Sequence, residues 1–180
     1  MAGLLFLALA YLAVGQAAVN RSGAQTAADA AALAAAQKTR GQLADMWVQE
    51  VRDPAKWRSI FEGDGADDFC WRAGQLAALN EARARCTFDR PLSYVVDAET
   101  DKPVGDSVVP GTENVHSTAH ATAVIEPLCE PPDAGAGEDA PTQLTCRDKI
   151  WVLKPDDTTG LPRPEDLFDV HLADSPANDR

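Results

Sequence analysis

Cysteine is the residue type in this sequence whose placement promises the most chemistry. The four cysteines are Cys70, Cys86, Cys129 and Cys146. None forms a Cys-x-x-Cys element, and no histidine stands at zinc-finger spacing from any of them, so neither a dithiol redox motif nor a structural zinc site fits. They are even in number and fall into two pairs of similar spacing. In an oxidising compartment that pattern reads as two local disulfides, Cys70 with Cys86 and Cys129 with Cys146. Each would close a loop of about fifteen residues, contributing on the order of 3 kcal/mol in the chain-entropy account. The competing reading, four free buried thiols in a cytosolic protein, conflicts with the apolar segment at the N-terminus.

Other residues offer less. His116 and His120 stand four apart, which on a helix would aim both at one metal. Their Ser, Thr and Val neighbours favour a strand, where positions four apart lie about 13 Å from one another. Asp64, Gly65, Asp67 and Asp68 resemble a fragment of a calcium loop, but the alternating oxygen ligands and terminal Glu of the twelve-residue form are missing. A helix N-terminus, which attracts acid, accounts for them equally well. Ser22 and Ser107 lie in no nucleophile elbow, and no glycine-rich phosphate loop or dinucleotide fingerprint occurs. The sequence thus supports no catalytic residue, no cofactor and no metal ligand, and the protein is expected not to be an enzyme.

The charge excludes another class. Sixteen Lys and Arg against 28 Asp and Glu leave a formal net charge of −12, whereas a nucleic-acid binder carries a basic stripe to meet phosphates. The acid is unevenly placed: residues 2–19 carry no charge, and nearly all of it lies beyond Asp45.

The elements that must position these residues begin with that uncharged run. Leu4, Leu5, Phe6, Leu7, Leu9, Tyr11, Leu12 and Val14 make residues 2–19 apolar around the whole helical circumference. A helix of about 18 residues spans roughly 27 Å, close to the hydrocarbon thickness of a bilayer, so residues 1–19 are expected to be a transmembrane anchor. A secretory signal peptide competes, since the Ala-Val-Gly-Gln-Ala stretch imitates a cleavage site, but the basic n-region is missing. Residues 16–38 contain no Pro and are dominated by Ala, the best helix former. The helical pattern continues through Leu43, Met46, Trp47 and Val51 to Asp53, where the residue before Pro54 resists the helical region. Residues 20–53 are therefore expected to form an Ala-rich helical rod, which with the anchor makes one helix of about 50 residues, roughly 75 Å long. Its small-residue face either lets neighbouring helices approach closely or belongs to a plain stalk. Arg21, Lys38 and Arg40 would hold the C-terminal side in the cytoplasm by positive-inside counting. The cysteines require the opposite, and their argument is preferred.

Beyond the rod, residues 54–153 read as a small α+β head. Trp57, Ile60 and Phe61 have helical spacing, and Glu62-Gly63-Asp64-Gly65 is a turn. Asp67 can cap a helix from about Asp68 to Ala84. Such a helix would hold Cys70 and Cys86 about 24 Å apart, whereas a disulfide needs Cα atoms within about 7 Å. Either the helix starts after Gly74 or each cysteine has another partner. Strand signals follow at residues 92–96, 116–128 and 144–153. The last two flank a Pro-, Gly- and acid-rich loop with Cys129 and Cys146 at its base, which reads as a disulfide-clamped β-hairpin. Residues 154–180, rich in Pro and Asp, are expected to be a loosely ordered acidic tail.

The stretch GLLFLALAYLAVGQAAVNRSGAQTAADAAALAAA resembles the N-terminal segment of TadE/TadG-like proteins, the pseudopilin- or minor-pilin-like components of Flp (Tad) pilus assembly. In that family an apolar helix runs into a Gln-Thr-Ala-Ala-Asp-Ala-Ala-Ala-Leu-Ala-Ala signature, here residues 25–35. HATAVIEPLC, residues 120–129, is similar to the strand that precedes the cysteine loop in such proteins. Members of that family usually carry a short basic leader ahead of the apolar helix, whereas this sequence opens inside the apolar run. The resemblance implies a single-pass membrane protein with its head outside the cytoplasm, structural rather than catalytic. It also implies that Leu4, Leu7, Tyr11, Ala28, Ala31 and Leu33 pack against other pilin-like subunits or Tad assembly proteins, with membrane lipid as the remaining partner. The alternative is a stand-alone, envelope-anchored module that binds a ligand or cell-wall component. An envelope hydrolase ranks last.

Overall fold

The N-terminal pattern forms one 48-residue helix, α1 (Ala2–Gln49), about 72 Å long at 1.5 Å per residue. The computed structural model describes residues 2–89, 92–103, 114–131, 143–147, 149–153 and 160–173; within residues 2–20, side chains are described at positions 3, 4, 7, 11, 15, 18 and 19. From Ala24 onward the buried positions of α1 are 24, 27, 28, 31, 32, 35, 36, 39, 43, 44 and 47. Steps of three and four put them on one stripe of the helix.

A 3-10 turn at Pro54–Lys56 leads into α2 (Trp57–Phe61), and α3 (Cys70–Leu79) follows. The remaining elements are β1 (Ala82–Asp89), β2 (Ser93–Thr100), β3 (Thr118–Pro127), β4 (Cys129–Glu130), β5 (Gln143–Cys146), β6 (Lys149–Val152), α4 (Pro164–Leu167) and β7 (Phe168–Leu172). Four strands make an antiparallel sheet in the order β1-β2-β3-β7, and β4-β5-β6 make a second, three-stranded one. The larger sheet alternates strictly. Tyr94, Val96, Ala98, Ala121, Ala123, Ile125 and Phe168 are buried on its inner face, while Arg83, Asp97, Glu99 and His120 are exposed on the other. A sheet with one apolar face must be covered, and α1 supplies the cover, packing on β2, β3, β7 and α3. Small residues on both partners permit the close approach. Bulk is concentrated at the far end of the stripe, where Trp47 and Trp57 rings lie 5.5 Å apart and Phe61 meets Phe168 at 5.4 Å.

The α+β class and the long helix stand as read from the sequence; several details do not. The rod is not separate from the head. From Ala24 on it is the head's own spine, because the sheet needs its apolar face buried. The helix expected over residues 68–84 stops at Leu79. The chain reverses at Asn80 and Glu81, the latter with a φ of +53° in the left-handed region, and returns as β1. Ala and Arg are good helix formers, but Ala82, Ala84, Cys86 and Phe88 against Arg83, Arg85 and Thr87 have period two, and pairing with β2 decides. The helix start also differs. Asp68 Oδ1 accepts from the Cys70 N–H at 2.7 Å, while Asp67 is held by Gln42 at 2.7 Å. The turn before it is as expected: Gly63 and Gly65 take φ of +86° and +81°.

The strand over residues 116–128 does not pair with residues 144–153. It joins β2 and β7, and the latter segment splits into β5 and β6. Most of the intervening acidic loop, residues 132–142, lies outside the described residues. The tail expected to be loosely ordered contributes β7, with Leu167 and Phe168 wholly buried. Alternating Phe168, Val170 and Leu172 add an apolar edge to the sheet. Residues 154–159 and 174–180 of that tail lie outside the described residues.

Candidate functional site: the uncovered half of the long helix

The Cys129–Cys146 disulfide forms as the sequence leads one to expect, and the Cys70–Cys86 pairing, left open by the sequence, forms as well. Cys129 pairs with Cys146 in register across β4 and β5, with Cα atoms 3.8 Å apart. Cys70 pairs with Cys86 at a Cα separation of 5.4 Å. The conflict foreseen between Cys70 and Cys86 resolves in a third way. The helix is short, and β1 runs back alongside it, bringing the second cysteine to the start of the first turn.

A buried polar bolt holds the spine to the sheet. Thr39 of α1 and Tyr94 of β2 share a hydrogen bond of 2.7 Å between their hydroxyls. The Phe69 N–H donates to Tyr94 Oη at 3.1 Å, and Asp67 O lies within 3.3 Å as an acceptor. Burial pushes the Tyr94 phenol above its ordinary range, partly offset by the Thr39 bond. These hydroxyls are engaged with one another and with backbone, as buried polar groups must be.

The helix-packing residues expected from the sequence divide into two sets. Ala28 and Ala31 have no exposure at all. The face expected to meet neighbouring molecules is covered by the chain's own head. Leu33 is half-buried in a groove between α1 and α3, beside Lys38, Arg72 and Leu76. Leu4, Leu7 and Tyr11 are 75%, 65% and 84% exposed. Every described residue of α1 from position 3 to position 23 is exposed. A methyl group built on Gly3, Gly15 or Gly23 would meet nothing within 4 Å. The covered part begins abruptly at Ala24, and the next residue, Gln25, already reaches the sheet through a 3.3 Å bond to His120 O. At its described positions, Leu4, Leu7, Tyr11 and Val19 among them, this half of the helix offers unoccupied apolar surface.

Residues 1–38 match the family model described as putative Flp pilus-assembly TadE/G-like. The N-terminal segment is similar to TadE/G-like proteins. No curated protein and no solved structure matches the chain. The TadE/G-like segment bridges both halves of the helix. Its apolar part is uncovered at its described positions, and its Ala-rich signature at residues 25–35 is buried at Ala27, Ala28, Ala31, Ala32 and Ala35. Among the described residues no helix is long and apolar enough to cross a membrane, so the structure shows the long helix and the head but not the anchor expected at residues 1–19.

The histidines singled out in the sequence do not come together. His116 Nδ1 bonds Thr100 O at 2.7 Å, and His120 Nδ1 lies 3.1 Å from Asp97 Oδ1. Asp64, Asp67 and Asp68 form no joint ligand set either. A different group does: Glu126, Asp169 and His171 offer ligand atoms that all lie within 4.8 Å of one another. Glu126 and His171 also line a groove of about 580 Å³ with Phe61, Leu92 and Val124. Sequence reasoning missed this group. Glu126 is more than 40 residues from its partners, and those partners belong to a segment whose Pro and Asp content suggested disorder. The alternation of Phe168, Val170 and Leu172 was the available signal.

Proposed function

We propose that this protein is a membrane-anchored, pilin-like component of a Tad/Flp pilus assembly or related secretion apparatus, acting structurally rather than catalytically. The TadE/G-like match over residues 1–38 carries this reading. The uncovered surface at Leu4, Leu7 and Tyr11 supports it, because apolar side chains along successive turns gain most when lipid or another helix covers them. The uncharged run of residues 2–19 is the anchor in this reading, with the disulfide-bonded head outside the cytoplasm, where disulfides persist. The contact residues are those of the uncovered half. Ala28 and Ala31 are occupied within the chain and act by fixing the head to the helix.

Photoreactive residues placed at Leu4, Leu7 and Tyr11 test the proposal in a strain that builds pili. Crosslinks to a pilin-like subunit or to the assembly platform are expected, together with altered piliation when the gene is deleted. Normal piliation without the gene and no crosslinked partner would leave the stand-alone binding module as the better account.

A further inference from the structure

We propose that Glu126, Asp169 and His171 form a binding site for a divalent transition-metal cation, for which Zn²⁺ is the probe. The β3–β7 register sets Glu126 directly opposite Asp169 and Val124 opposite His171. Side chains two apart on a strand share a face, so Asp169 and His171 project on the same side as Glu126. Two carboxylates placed directly across a strand pair repel one another. Among the described residues little relieves them: Arg147 approaches Glu126 only to 3.8 Å, both side chains being more than half exposed, and such a pair is worth little in water. Asp169 Oδ2 lies 3.2 Å from His171 Nδ1, so the imidazole is already turned toward the carboxylates. A cation between them converts a repulsive pair into ligands.

The donor set selects the ion. One imidazole nitrogen and two carboxylate oxygens suit Zn²⁺ and its neighbours, whereas Ca²⁺ takes six to eight oxygens. Thiolate is not on offer, because no cysteine is free. Around a tetrahedral ion with bonds of about 2.0–2.2 Å the ligand atoms lie about 3.4 Å apart. The three atoms, within 4.8 Å of each other, need to close by no more than about 1.4 Å to reach that spacing. On one side stands the groove of about 580 Å³ with Phe61, Leu92 and Val124 in its lining and Glu62 as its further carboxylate. Three protein ligands leave one coordination position for water. The bound ion would clip β7, the last strand of the sheet, onto β3.

Isothermal titration of the full chain in detergent, untagged and freed of metal by chelation, tests the site. One Zn²⁺ equivalent is expected to bind saturably, with affinity falling at least tenfold in His171→Ala and in the isosteric Glu126→Gln and Asp169→Asn. His120→Ala, on the same sheet but outside the site, should bind as the parent does. Circular dichroism confirms that each variant keeps its fold. Absence of saturable binding, or binding that the three ligand variants leave within twofold of the parent, overturns the proposal. A tenfold loss in His120→Ala with His171→Ala unaffected overturns it as well.

Discussion

The two halves of α1 both present small and apolar residues, yet one is bare at its described positions and the other is buried along one stripe against the head. Residues 3–23 expose every described position, and Leu7 is 65% exposed; further along, Leu43 has no exposure. Leucine alone does not separate them, since it stands in both. What separates them is whether the rest of the chain can reach. An alanine stripe is a surface without knobs, and a sheet whose inner face holds Ala98, Ala121 and Ala123 can lie close against it. Small residues in a long helix therefore mark close approach without saying whose backbone approaches.

Substitution in the buried half should give the largest effect. Ala31→Phe forces an aromatic ring into a position with no free space, and overpacking of this size should cost at least about 3 kcal/mol. Urea unfolding of the head, followed by near-ultraviolet circular dichroism, measures it. Removing the Cys129–Cys146 disulfide as a double alanine variant comes next. The bond spans 17 residues, and the head should lose about 3 kcal/mol.

The bolt between helix and sheet gives an intermediate effect. Tyr94→Phe should cost about 1–2 kcal/mol at neutral pH, because Thr39 and the Phe69 N–H lose a buried partner. Its pH dependence has a definite sign. Burial raises the folded-state pKa of the phenol above its ordinary 10.0. The stability linked to the neutral phenol is therefore complete below about pH 10 and is lost as pH rises through the folded value. In Tyr94→Phe that alkaline loss should be absent, which a urea series from about pH 8 to about pH 11 would read.

The smallest effects belong to the bare half and the outer sheet face. Leu7→Ala should leave head stability within about 0.5 kcal/mol of the parent, since the side chain touches nothing in the head. Arg83→Gln should do the same, although Arg83 lies 3.6 Å from Glu99 and 3.2 Å from Asp101, because exposed ion pairs contribute little. A large loss in Leu7→Ala would erase the distinction between the two halves.

What could be read from the sequence follows the same division. The length of α1, the α+β class and the Cys129–Cys146 pair were legible, because periodicity, turn residues and spacing are local signals, whereas the pairing of Cys70 with Cys86 stayed open because it depends on where α3 ends. The direction of the Ala face was not, since alanine loses little on exposure and so records weakly which side is buried. The break at Leu79 was hidden because Ala82, Arg83, Ala84 and Arg85 suit a helix on propensity and a strand on alternation. β7 was hidden by its flanks, and with it the meeting of Glu126 with Asp169 and His171, which exists only once the register of β3 with β7 is set.

The continuity of α1 carries a mechanical consequence. No joint separates the bare segment from the spine of the head; the helix runs unbroken from Ala2 to Gln49. Whatever grips the first turns therefore sets the compass bearing of the sheet as well as its height. One residue inserted near Gly23 would swing the head by about 100° and lift it by about 1.5 Å, so that the helix works as an indexed shaft, with each added residue a fixed click of rotation.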